Sequence, residues 1–104
     1  METKFNFNSQ ICTTREQSER LLSLGLKKET ADMSWMYGEV LSCNPPELTV
    51  DIPAWSLHRL MCLYFNSGAT HVELFEDDDA YEILIYNIEM RIKARYFNKE
   101  YLEE

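Results

Sequence analysis

Glycine and proline are scarce in this chain, three of each in 104 residues, which argues against a linker-rich or low-complexity segment. No run approaches the roughly 20 apolar residues that cross a bilayer. The opening Met1-Glu2-Thr3-Lys4-Phe5-Asn6-Phe7-Asn8 lacks the apolar centre of a secretion signal, so the expected location is the cytoplasm, with no membrane partner. Cysteine is confined to Cys12, Cys43 and Cys62, an odd count at wide spacing. That excludes a disulfide framework and suits a reducing compartment, where thiols act as small apolar fillers. No Gly-rich phosphate loop is present. Basic residues are few as well: ten against eighteen acidic ones give a net charge of −8, and residues 51–104, with five basic and eleven acidic side chains, carry −6 of it. A surface of that sign repels phosphate backbones, so direct nucleic-acid binding is not expected. Arg91, Lys93, Arg95 and Lys99 form the one basic cluster, flanked by Glu89 and Glu100.

What is present is the material of a core. Apolar residues make up 45% and aromatics 12% of a chain whose length is typical of one domain, enough to bury roughly two thirds of its unfolded surface. Phe5 and Phe7 alternate with asparagines, the pattern of a strand or an ordered arm. Thr13 and Thr14 stand three residues before Glu16 and Gln17, so either threonine can close a capping box. A helix over about residues 14–24 follows, with Leu21, Leu22 and Leu24 inside, Gly25 ending it and Leu26 folding back. Lys27 to Asp32 has room for a short helical turn. Met33, Trp35, Tyr37 and then Val40-Leu41 predict a hairpin, Asn44-Pro45-Pro46 a loop, and Leu48, Val50 and Ile52 a strand with one buried face.

Pro53 suits the first turn of a helix, and Ala54, Leu57, Leu60, Met61 and Tyr64 then lie along one face until Asn66-Ser67-Gly68 stops it. His71, Glu73 and Phe75 offer a further short strand. Asp79 reads as an N-cap with Glu82 at the third helical position, opening a long helix to about Arg95 with the stripe Tyr81, Leu84, Ile85, Ile88 and Ile92. Ile83-Leu84-Ile85-Tyr86 keeps a strand as its competitor. Asn98 can cap one more turn, in an aromatic tail expected to dock. The fold class that follows is α+β: one domain over 1–104, with about three helices and a small antiparallel sheet from residues 33 to 52, joined by 70–75.

The chemistry-bearing residues carry bland readings beside sharp ones. The acidic run Glu76-Asp77-Asp78-Asp79 is not a calcium loop, since counting from Asp77 the twelfth residue is Ile88 rather than Glu; it reads as the charged lead into a helix. His58 and Cys62, four apart on the predicted Pro53 helix, share a face and present one loose ligand pair, or a thiol beside a base, with His71, Cys43 or Cys12 as further ligands brought in by folding. Without a second close ligand pair or oxyanion-hole glycines nearby, no metal, no cofactor and no catalytic residue is assigned. Trp55, one position past Ala54, is expected half exposed beside the apolar stripe. Trp55, His58, Asp77 and Asp78 are therefore the expected interaction surface.

Several phrases resemble a group of short uncharacterised proteins of Bacteroides-type gut bacteria and their prophages: Ile11-Cys12-Thr13-Thr14, Glu16-Gln17-Ser18, Arg20-Leu21-Leu22, Leu24-Gly25-Leu26, Thr30-Ala31-Asp32-Met33, Pro53-Ala54-Trp55-Ser56-Leu57 and Tyr96-Phe97-Asn98-Lys99-Glu100-Tyr101-Leu102. The resemblance implies a bacterial cytosolic setting and carriage on phage or mobile DNA; it implies no activity. The expected function is a non-enzymatic protein-interaction or accessory role, as a monomer or weak homo-oligomer with an unidentified protein partner. An acidic mimic of nucleic acid, inhibiting a DNA-handling protein, is the alternative, and a small thiol or metal enzyme using Cys62 and His58 is the third reading.

Overall fold

The expected capping box forms at Thr14. Its Oγ1 accepts the Gln17 backbone N–H at 3.1 Å, and the Gln17 side-chain oxygen accepts the Thr14 N–H at 3.0 Å. Two otherwise orphaned donors of helix α1 (Arg15–Ser23) are thereby satisfied. At the far end Gly25 takes φ +101°, the Leu26 N–H returns to the Leu21 carbonyl at 3.2 Å, and the Gly25 N–H reaches Leu22 at 2.9 Å. That closure folds Leu26 back beside Leu21, both buried. Leu22, expected inside, is exposed: it lies about 100° around the helix from Leu21, and the buried face is Gln17, Ser18 and Leu21.

The computed structural model describes residues 10–36, 40–47, 51–73 and 79–103. Within them α1 is followed by a 3-10 turn (Lys28–Thr30), strands β1 (Met33–Met36), β2 (Val40–Ser42) and β3 (Ile52–Ala54), helices α2 (Leu57–Asn66) and α3 (Ala80–Lys93), and a last 3-10 turn (Lys99–Tyr101). This is a small α+β domain. The predicted N-terminal arm and Leu48 and Val50 of the predicted strand lie outside the described residues. Residues 71–73 carry no strand, and Phe75 is outside the described residues.

The sheet has the order β2-β1-β3, antiparallel throughout. Ser34 stands opposite both Ser42 and Pro53, so Ser34, Met36, Val40, Ser42 and Pro53 share one face, while Met33, Trp35, Leu41, Ile52 and Ala54 take the other. On that second face Cys12, Met33 and Ala54 are buried, with Trp35 and Leu41 packed against them.

Pro53 does not open a helix. It sits in β3, an edge strand, where a residue with no N–H loses nothing if its nitrogen faces away from β1. Helix α2 begins four residues later because Ser56 is a better N-cap: its Oγ accepts the Arg59 N–H at 3.1 Å. Ala54 accordingly belongs to the sheet rather than to the helical stripe. The buried face of α2 is Leu60, Leu63 and Tyr64, with Leu57 and Met61 half-buried, and Gly68 at φ +97° follows its end.

Helix α3 opens as expected, with Asp79 accepting from the N–H groups of Tyr81 and Glu82, and it is helix throughout. Tyr81, Leu84, Ile85 and Ile88 meet α1 and α2 in one core with Leu21, Leu26, Leu60, Leu63 and Trp55. Each such side chain withdrawn from water is worth roughly 1.5–3 kcal/mol. Arg95 ends α3 at φ 65°, a left-handed position without glycine. The tail then docks: Phe97 is buried, Asn98 caps its turn, and the backbone of residues 101–103 pairs with that of 25–27 through Lys27 N–H to Tyr101 O at 2.7 Å and Glu103 N–H to Gly25 O at 2.6 Å. Among the described residues no helix is long and apolar enough to cross a membrane.

Candidate functional site

Trp55 is not on the surface. Its relative exposure is 0%, and it is held from three directions. Its backbone N–H donates to Thr13 Oγ1 at 3.1 Å, its carbonyl accepts the Thr13 N–H at 2.9 Å, and its indole N–H donates to Thr30 Oγ1 at 2.9 Å. Thr30 passes its own proton to the Lys27 carbonyl at 2.7 Å, and Thr13 Oγ1 shares a hydrogen bond of 2.7 Å with Ser18. Next door, Asp32 accepts both the N–H and the hydroxyl of Ser56, at 2.9 and 2.6 Å. Pro53 in a strand, rather than in the first helical turn, turns the indole inward, and Thr30 supplies the acceptor that a buried indole requires. Among the described residues no buried side-chain nitrogen or oxygen lacks a partner, so this node is fully satisfied.

His58 and Cys62 do meet. Both lie on the outer face of α2, with Sγ and Nε2 3.5 Å apart, His58 exposed and Cys62 half-buried. The contact is that of a thiol hydrogen-bonded to an imidazole. Among the described residues no group of three metal-binding side chains assembles, and His71 instead stands 3.7 Å from Glu73. Cys12 is pushed up to about 11, by burial first and then by the charges of Asp32 and Cys43, which keeps it a thiol at neutral pH. Asp77 and Asp78 lie outside the described residues.

Hollows lined by described residues include two. One, of about 200 Å³, is lined by Ser34, Met36, Ser42, Pro45, Glu47 and Asp51. Its polar groups are engaged locally, Ser34 donating to the Asn44 carbonyl at 2.9 Å and Asp51 accepting the Glu47 N–H at 3.2 Å. The other, open to solvent, is bordered by Arg95, Lys99, Leu102 and Glu103.

The surface that sequence reasoning missed is the outer face of α3. Ile83, Tyr86 and Met90 recur at helical spacing about half a turn away from the Leu84–Ile88 stripe, and Tyr86 and Met90 are 55% and 46% exposed. The signal was legible as a second apolar period, three and seven residues from Ile83, running out of phase with the first. Charges border it. Arg20 holds Glu82 at 2.8 Å and Glu89 at 3.2 Å, and Lys93 holds Glu89 at 2.9 Å. Hydrogen bonds from Gln17 and then Arg20 lower the Glu82 carboxyl below its usual range, those from Lys93 and then Arg20 lower Glu89, and the two carboxylates raise Arg20.

At the C-terminal end of α3, Arg91 donates to Ser67 Oγ at 3.1 Å and to the Ser67 carbonyl at 2.8 Å. Its guanidinium lies 6.0 Å from the Tyr64 ring centre and 5.8 Å from that of Tyr96, the latter ring 68% exposed. No family model, no curated protein and no solved structure matches this chain.

Proposed function

We propose that the chain is a non-enzymatic protein-interaction or accessory module whose docking surface is the outer face of α3. The observation that carries this is a helix apolar on both sides. One stripe fills the core, while Ile83, Tyr86 and Met90 form a second that reaches the surface at 55% and 46% exposure for the last two. Contiguous apolar side chains held in water by a rigid helix are unfavourable unless a partner covers them. Tyr and Met are also residue types enriched where proteins meet. A bacterial, cytosolic and phage-borne setting is proposed with that role, on the resemblance of its sequence phrases to short proteins of gut bacteria and their prophages.

A mimic of nucleic acid needs a line of uncompensated negative charge. Glu82 and Glu89 are instead countered by Arg20 and Lys93, which favours docking through the apolar face over mimicry. The test is affinity capture from a lysate of the native host, with wild type and the Tyr86→Lys/Met90→Lys double variant as parallel baits. A protein, a second copy of this chain included, enriched by cross-linked capture with wild type and lost with the variant is the expected result. Identical recovery from both baits refutes the assignment of the surface.

A further inference from the structure

We infer that the occupant of the α3 face is a second copy of this chain, packed with its own α3 antiparallel, an inference that rests on reading that face as a docking surface. The argument is self-complementarity. Along the outer stripe of α3 stand Asp79 at one end, Ile83, Tyr86 and Met90 in the middle and Lys93 at the other, spaced to lie on one side of a helix. Asp79 already caps the helix and Lys93 already holds Glu89 at 2.9 Å, but the Lys93 side chain stays 62% exposed and can reach a second carboxylate. All five side chains are exposed or half-buried.

A second copy turned end for end about Tyr86 matches this order. Asp79 of each copy faces Lys93 of the other, Ile83 lies against Met90, and the two Tyr86 rings meet at the two-fold axis, where an offset aromatic pair is favourable. The antiparallel arrangement also opposes the two helix macrodipoles and leaves Arg95 beyond the end of the acidic first turn of the other copy. A parallel arrangement stacks Asp79 on Asp79 and Lys93 on Lys93. Asn87 adds no strong polar demand to the seam, because its amide donates back to the Ile83 carbonyl at 2.7 Å. One surface thus supplies both halves of the charge pattern, which an unrelated partner would have to match by coincidence.

Size sets the strength. A helix of 14 residues is about 21 Å long, and one helix pair falls at the small end of specific interfaces, so a weak, concentration-dependent dimer is expected. Net charge of −8 opposes it further at long range, while the Asp79 to Lys93 pairing acts locally.

Sedimentation equilibrium of the purified full chain, from micromolar to millimolar concentration, tests this. Wild type is expected to show a monomer–dimer equilibrium, and Met90→Glu and Tyr86→Glu are each expected to weaken it about tenfold or more. Their circular dichroism and thermal midpoints should stay near those of wild type, because both side chains are exposed. A spin label at Ala94→Cys, in a Cys43→Ser/Cys62→Ser background, reports orientation. Antiparallel pairing about Tyr86 separates the two labels by roughly 24 Å along the axis, from 1.5 Å per residue, whereas parallel pairing brings them together. Wild type that stays monomeric at millimolar concentration overturns the second copy as occupant, as does a dimer indifferent to both variants. Labels in close contact overturn the antiparallel arrangement. The docking surface itself falls separately, if lysate capture is also unchanged by the double variant.

Discussion

Replacing Trp55 with phenylalanine discriminates sharply between a buried node and a surface aromatic. The substitution deletes the indole N–H that donates to Thr30 Oγ1 at 2.9 Å and part of a side chain with no exposed area. Both backbone hydrogen bonds to Thr13 remain, so the loss is confined to the ring. Removing the donor costs about 1 kcal/mol. The vacated half of the indole leaves a cavity of some tens of Å³, which at about 24 cal/mol per Å³, with the lost transfer energy, adds roughly 1–2 kcal/mol. The expected destabilisation is therefore about 2–3 kcal/mol, a large share of the roughly 5–15 kcal/mol that holds a domain together. Urea unfolding followed by far-UV circular dichroism should show the midpoint falling by about 1–2 M with little change in slope. Thr30→Val closes a double-mutant cycle, and a coupling near 1 kcal/mol with Trp55→Phe is expected for a real hydrogen bond. A midpoint shift worth less than about 0.5 kcal/mol, the usual size for a surface change, refutes the burial of Trp55.

Three further outcomes follow from local geometry and charge. Gly25→Ala should destabilise by about 1 kcal/mol through conformation alone, since φ is +101° and nothing lies within 4 Å of the added carbon; Arg95→Gly should stabilise by about 0.5–1 kcal/mol at φ 65°, and urea midpoints moving the other way would contradict both. Glu82 and Glu89 are depressed below their ordinary 4.5, so their contribution is present above that value and drains away as pH falls through the lower folded-state values; Arg20→Gln should flatten the acid limb of a melting-temperature profile, and an unchanged limb would count against the network. With a thiol reagent at neutral pH, Cys43 should react in the native protein and Cys12 only after unfolding, because Cys12 is buried and raised to about 11; Cys62 reacting no faster than Cys43 would remove the case for a thiol enzyme.

The elements legible in the sequence were those whose cause is local. Thr14 with Gln17, Gly25 with Leu26, Asp79 with Glu82, and Asn98 each act within a few residues, and all appear where the residue types placed them. Pro53 was ambiguous because its fixed φ fits a first helical turn and an edge strand alike. What decides is Thr13, 42 residues away in sequence, reaching the Trp55 backbone, together with Ser56 competing as cap. Trp55 went astray with it, since a helix that starts four residues later leaves Trp55 in the extended segment before the cap rather than in the first helical turn. For the site, the pairing of His58 with Cys62 was readable from their spacing of four on α2. The outer stripe of α3 was overlooked because attention to one period hides a second: Ile83 and Tyr86 were read as β-content, when they are simply the residues facing away from the core.

The pairing of residues 25–27 with 101–103 also bears on when this protein can finish folding. A chain emerges from the ribosome N-terminus first, and α1 with its own cap and glycine closure can form as soon as it is free. The Gly25 carbonyl and the Lys27 N–H, by contrast, wait for Glu103 and Tyr101. Phe97 and Leu102 reach the core at the same stage. Completion is thus tied to the emergence of residues 97–103, and a nascent chain stalled short of residue 101 holds an exposed core that chaperones can bind.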